Sequence, residues 1–186
     1  MPYEKPTPLQ PISAEEFDQL ISPFGPFESD PRVAVGVSGG ADSLCLALLL
    51  NFWLRRRHGR VVALIVDHGL RREAKREIKQ LAKWLTGYKI EYHVLVWSDQ
   101  KLRRSGQAAA REARYRLLTE WCRSAGVLHL ALAHHRDDQV ETHLLRKDRG
   151  SGSDGLASMP IVWEQDKVRL FRPLLSVPGE RLRATL

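Results

Sequence analysis

Five short runs along the chain are apolar and rich in β-branched residues: Arg32–Val37, Val61–Val66, Ile90–Val96, Val127–Ala133 and Val168–Phe171. Runs of this length and composition predict buried strands. Between them the apolar positions follow a helical period. Ser13-Ala14-Glu15-Glu16 is a capping box that opens a helix through about Ile21. Leu44–Arg57, Arg72–Leu85, Gln107–Ala125, Asp137 to about Arg146, and a segment beginning at Pro178 read as further helices. In the Arg72–Leu85 stretch, Ile78, Leu81, Ala82 and Leu85 fall on one face. Apolar strands alternating with helices predict an α/β fold, a parallel five-stranded sheet with helices on both faces. Residues 1–30 read as an N-terminal tail and short helix, closed by the breakers Pro23, Gly25 and Pro26. Residues 31–186 read as a single catalytic domain. Ligands of such sheets bind beyond the carboxyl ends of the strands, so the segments that follow strands carry the chemistry.

Charge adds one expectation. The net charge is +7 and the sequence pI about 9.7, which favours a polyanionic partner such as nucleic acid without requiring one. The two cysteines, Cys45 and Cys122, form no CxxC pair, so no local zinc or redox motif is present and a reduced, cytoplasmic setting fits. The N-terminus lacks the basic-then-apolar pattern of a signal peptide, and no apolar run is long enough to span a membrane.

Ser38-Gly39-Gly40-Ala41-Asp42-Ser43 stands between the first strand and a helix. Two adjacent glycines allow a ligand to approach the backbone closely. The following helix offers unpaired N–H groups and the positive end of its dipole. Ser38 and Ser43 add hydroxyls, and together these make a pyrophosphate cradle. It is not a Walker A loop, because Asp42 stands where that loop has lysine. An acid beside phosphates needs a cation, so Asp42 is read as a Mg²⁺ ligand. The plainer alternative is a Gly-Gly turn with a serine cap.

Three further segments follow strands or open helices. Val66-Asp67-His68-Gly69-Leu70-Arg71 would place Asp67 and His68 near the nucleotide, or would be a simple turn. Gln107–Arg116 carries Arg111 and Arg114 on one helix face, where either could reach phosphates or solvent. His134-His135-Arg136-Asp137-Asp138-Gln139-Val140-Glu141 concentrates more charge than a core would accept. Asp138 and Glu141 could flank Mg²⁺ or an incoming ammonium, while Asp137 and Asp138 also suit helix capping. A fourth segment, Arg146 to Leu156, is basic and glycine-rich, suited to a lid or a linker.

The loop SGGADS resembles the PP-loop of the N-type ATP pyrophosphatases. That resemblance implies cleavage of ATP to AMP and pyrophosphate. SGGADS, VDHGLR, QAAAREARYR, HHRDDQVET and RGSGSDGLA, in that order from about Arg32 onward, are together similar to the tRNA(Ile)-lysidine synthetase family. The resemblance implies adenylation of O2 of the wobble cytosine in an isoleucine tRNA with a CAU anticodon. The ε-amino group of L-lysine would then attack C2 and expel AMP. By the same resemblance Ser38, Gly39, Gly40, Ala41 and Ser43 would bind ATP, and Asp42 and Asp138 would serve Mg²⁺. Arg111 would stabilise the leaving pyrophosphate, and His135, Asp138 and Glu141 would sit by the metal, the cytosine or the lysine. A C-terminal tRNA-binding region is expected in the family and is read as absent from this chain. Arg146-Lys147-Asp148-Arg149 is also more polar than the family's usual apolar stretch. A homodimer is left open.

Three rival readings stay beside this one. A PP-loop tRNA thiolase would need a cysteine pair or cluster. A small-molecule amide ligase would leave the basic charge unused. A nucleotide-binding module without catalysis would leave the acidic His134–Glu141 segment without purpose.

Overall fold

A computed structural model of the chain describes residues 9–67, 74–97, 106–148 and 159–186. Its strands are β1 (Arg32–Val37), β2 (Arg60–Asp67), β3 (Glu91–Val96), β4 (His129–Ala131), β5 (Val162–Gln165) and β6 (Val168–Phe171). Its helices are α1 (Ala14–Ile21), α2 (Ala41–Arg55), α3 (Ala74–Gly87), α4 (Gly106–Ser124), α5 (Arg136–Asp148) and α6 (Gly179–Thr185). One sheet runs in the order β3-β2-β1-β4-β6-β5. All neighbours pair in parallel except β5, which pairs antiparallel with β6.

The α/β architecture matches the sequence expectation, and the five-strand count becomes six. The added strand is an edge hairpin partner whose turn puts Asp166 and Lys167 at positive φ. Its residues Val162-Trp163-Glu164-Gln165 alternate between exposed and half-buried, and the apolar stretch Ile161-Val162-Trp163 beside Pro160 is too short to stand out as a buried strand. The expected Val127–Ala133 strand shortens to three residues. The expectation of a buried strand fails at β3, an edge strand with Tyr92, Val94 and Val96 exposed.

The inner strands are mostly apolar because both of their faces are buried, with Arg32, Arg60 and Asp67 at strand ends and His129 and Arg169 as the exceptions. Side chains alternate across a strand. Val33, Val35 and Val37 of β1 join Val61, Ala63 and Ile65 of β2 in a core with α1, α2, α3 and α6. Ala34, Val62, Leu64, Leu130 and Leu170 point the other way, against Leu118 and Cys122 of α4.

Strand order places the site. The chain steps outward from β1 to β2 to β3, then returns to the other side of β1 with β4. The loops leaving β1 and β4 therefore diverge above neighbouring parallel strands, the crevice where sheets of this kind bind ligands.

Candidate active site

The glycine loop leaves β1 into this crevice. Gly39 has φ +90, and a Cβ added there would meet nothing within 4 Å. Glycine is thus required by backbone conformation, and the space beside it is open. Gly40 is the N-cap of α2 and supplies no side-chain cap, so the first N–H groups of the helix depend on an outside acceptor. Ser43 ties the loop together. Its hydroxyl accepts from the Ser38 N–H (3.1 Å), donates to the Gly40 carbonyl (3.0 Å) and lies 3.3 Å from the Ser38 hydroxyl.

Asp42, in the first turn of α2, faces the loop that leaves β4. His135 Nε2 lies 3.5 Å from Asp42 Oδ2 and 3.5 Å from Asp138 Oδ2. The tertiary structure thus brings together three of the residues singled out in the sequence. Asp138 also caps its own helix: its Oδ2 accepts from the His135 backbone N–H at 2.8 Å. The Asp137 N–H points at His135 Nδ1 (3.3 Å). Nδ1 is therefore the acceptor nitrogen, which leaves Nε2 as the donor between the two carboxylates. Capping and site geometry, alternatives in the sequence, are both realised by the same side chains.

Asp42 Oδ1 is buried and has no hydrogen-bond partner. An orphaned carboxylate oxygen facing a crevice fits a cation. Among the described residues no group of three or more His, Cys, Asp or Glu forms a metal cage. Mg²⁺ commonly takes one or two carboxylates and completes its shell with phosphate oxygens and water.

Arg111 and Arg114 part company. Arg111 is exposed, its guanidinium 5.4 Å from the Tyr115 ring centroid and 3.4 Å from the Tyr115 hydroxyl. Arg114 turns inward, with Nη2 3.6 Å from where a Cβ of Gly36 would stand. Burial lowers its pKa, and neighbouring Arg111 adds to the effect. Both line a pocket of about 210 Å³ with Ala110, Tyr115, Leu132 and His134. Glu141 is exposed on α5, where it lines a groove with Asp137, Val140, Leu144 and Leu145. Asp67 ends β2 at the same sheet edge. His68 and the rest of its motif, and the glycine-rich 149–158 segment, lie outside the described residues.

Two partners escaped the sequence reading. Arg172, just after β6, is 3 % exposed. Its Nε donates to His134 Nδ1 (3.0 Å), Nη1 to the Pro160 carbonyl and Nη2 to the Tyr115 hydroxyl (3.4 Å). Its guanidinium also stacks 4.1 Å from the Trp163 ring centroid. Burial, followed by the Arg172 charge, pushes the pKa of His134 down to about 4. His134 is thus neutral, with Nε2–H as its donor. Arg172 within the apolar stretch Leu170-Phe171-Arg172-Pro173-Leu174-Leu175 was the available signal, because a buried cation needs partners. The second partner is Gly179, whose N–H donates to Asp137 Oδ2 at 3.2 Å.

The PP-loop domain family matches residues 9–186. This chain belongs to the PP-loop family. Its domain is 46 % identical over 178 residues to a curated tRNA(Ile)-lysidine synthase of Bradyrhizobium diazoefficiens, covering 95 % of this chain and 48 % of that protein. It is 42 % identical over 170 residues to the protein of the same name from Wolbachia sp. subsp. Brugia malayi, covering 90 % and 39 %. The chain thus spans about half or less of the length of these curated relatives. Among solved structures, the PP-loop fold is shared with a U34-tRNA thiolase from Methanococcus maripaludis, solved with its 4Fe-4S cluster. That match has TM-score 0.74 and 21 % identity, and covers 90 % of this chain and 61 % of that one. An NAD+ synthetase from Burkholderia pseudomallei aligns with TM-score 0.56 and 16 % identity, covering 92 % and 64 %. These two likenesses concern the fold alone.

Proposed function

We propose that this PP-loop domain uses ATP and Mg²⁺ to join L-lysine to C2 of the wobble cytidine of an isoleucine tRNA with a CAU anticodon. The cytosine O2 takes the adenylyl group of ATP, and pyrophosphate leaves. The ε-amine of lysine, having lost a proton, bonds to C2, and AMP leaves. The observation that carries the substrate assignment is the kinship with curated tRNA(Ile)-lysidine synthases across nearly the whole chain.

The site geometry supports the chemistry. The Ser38–Ser43 loop and the uncapped start of α2 suit the phosphates. Mg²⁺, when bound, would offset phosphate charge, and Asp42 and Asp138 would hold it. Arg111 and Arg114 would receive charge developing on the leaving pyrophosphate, where fixed cations act most strongly. His135 would hold its Nε2 proton between Asp42 and Asp138 and so fix their spacing. Glu141, exposed one turn along α5, would meet an incoming ammonium.

The cysteines argue against sulfur transfer. Cys45 and Cys122 are both buried, in cores on opposite faces of the sheet. Burial pushes both thiols up to about 12, away from a reactive thiolate. No described helix is long and apolar enough to cross a membrane; the cytoplasm is the setting that the proposed work on tRNA calls for. A homodimer remains compatible with the site and is decided by sedimentation. The test of function is incubation of the chain with ATP, Mg²⁺, labelled L-lysine and isoleucine tRNA transcript. Lysine should appear on the RNA with matching pyrophosphate release. Pyrophosphate release with sulfide and no lysine transfer would favour the thiolase instead.

A further inference from the structure

The loop from Leu174 to Gly179 crosses the start of α5, and α6 begins against the His135 ring. The Arg136 N–H donates to the Val177 carbonyl at 2.9 Å. The Gly179 N–H donates to Asp137 Oδ2 at 3.2 Å. Gly179 is buried, and a Cβ built there would stand 2.8 Å from His135 Cε1, 3.1 Å from its Nδ1 and 3.0 Å from Asp137 Oδ2. The first of these is closer than real Cβ contacts allow. The ring therefore rests against the bare Cα of Gly179, and any side chain would push it from its place between Asp42 and Asp138.

The helix has little room to retreat instead. Arg181 grips Glu16 of α1 through two hydrogen bonds of 2.7 Å and donates to the Gln10 carbonyl at 2.9 Å. Thr185 Oγ1 accepts from the Ile12 N–H at 2.9 Å. Leu182 is fully buried in the core shared with α2. With α6 fixed at several points, displacement falls on the imidazole.

Resting on the proposed function of this site, we propose that Gly179 is a positioning residue for His135, and that Asp137 holds α6 against α5 to keep it so. Gly179 touches no reacting atom in this account. It acts by leaving space for the ring, while the Asp137 side chain anchors the Gly179 backbone and the Asp137 N–H selects the His135 tautomer.

Two readouts on the 186-residue chain test this. Nitrogen-15 spectra of the histidine rings should show a single His135 environment, with Nδ1 accepting a hydrogen bond and Nε2 as the donor nitrogen. Gly179→Ala should convert that signal to a mixture or a shifted environment. In the same variant kcat for pyrophosphate release should fall by about a hundredfold, the scale of a small misplacement of a catalytic group, while KM for ATP changes far less because the glycine loop is untouched. Asp137→Ala should act in the same direction, and Asp137→Asn, which keeps an acceptor for the Gly179 N–H, should restore most of kcat. The Asp137 pair also decides the matter if Gly179→Ala does not fold. An unchanged His135 signal and unchanged kcat in Gly179→Ala, or equal losses in Asp137→Ala and Asp137→Asn, would overturn the proposal. A wild-type chain without pyrophosphate release, with the tautomer result as expected, would count against the function and leave the positioning intact.

Discussion

His134 is held neutral by its surroundings, and acidification should reveal the cost. Its ordinary pKa is 6.5, and in the fold it stays neutral down to about 4. The causes are burial first, then the Arg172 guanidinium, whose Nε donates to Nδ1 at 3.0 Å. Above about pH 6.5 both folded and unfolded rings are neutral, and the group contributes no pH dependence. Below that value the unfolded ring takes a proton and the folded ring does not, so stability falls until the pH reaches about 4. One tenfold change in proton concentration corresponds to about 1.4 kcal/mol, which gives a loss of at most about 3 kcal/mol over that window. Such a loss is a large share of the 5–15 kcal/mol typical of a domain. The perturbation is His134→Asn, whose Oδ1 can accept from Arg172 where Nδ1 stands, without titrating. Urea unfolding of both chains, followed by circular dichroism from about pH 7 to about pH 4.5, measures the difference. Glu16 and Glu91, whose pKa values Arg181 and His93 lower, titrate alike in both chains and cancel. The wild type should lose more stability than the variant, by about 2–3 kcal/mol at the acid end. Parallel curves, within about 0.5 kcal/mol, would refute the assignment of a neutral, arginine-bonded imidazole.

Asp42→Ala should abolish Mg²⁺-dependent pyrophosphate release yet leave the melting temperature unchanged or raised, because it removes a buried oxygen that has no partner; calorimetry and a pyrophosphate assay read the two halves. Gly59→Ala should lower stability by about 1–3 kcal/mol, since its Cβ would stand 2.5 Å from the Pro31 carbonyl oxygen; thermal unfolding should then shift by about 2–4 °C per kcal/mol. Neither Cys45 nor Cys122 should react with an aromatic disulfide reagent in the native chain, given burial and pKa values near 12, and both should react in urea. The double variant Cys45→Ala with Cys122→Ala should keep lysine transfer; its loss would reopen the sulfur-transfer reading.

Much of the site was legible because its signals are local. Gly39 and Gly40 next to Asp42 and Ser43 mark a special backbone conformation with a charge beside it, and the structure gives Gly39 the positive φ this requires. His135 and Asp138 stood out because charge was concentrated just after an apolar strand. Arg172 and Gly179 did not, because no charged or glycine-rich motif surrounds them in sequence. Each acquires its role from a neighbour far along the chain: His134 for Arg172, and His135 with Asp137 for Gly179. The edge strand β5 was missed for a related reason. With one side unpaired and its side chains only partly buried, it needs no apolar run.

The sequence by itself determined the alternation of strand and helix, the glycine loop after β1 and the charged segment after β4. Local propensity, capping and hydrophobic period suffice for these. Only the tertiary structure decided that β4 returns beside β1, that His135 falls between Asp42 and Asp138, and that α6 closes against the ring. Strand order and the packing of α6 are set by burial of two opposed apolar faces summed over the whole chain, and no single segment carries that sum.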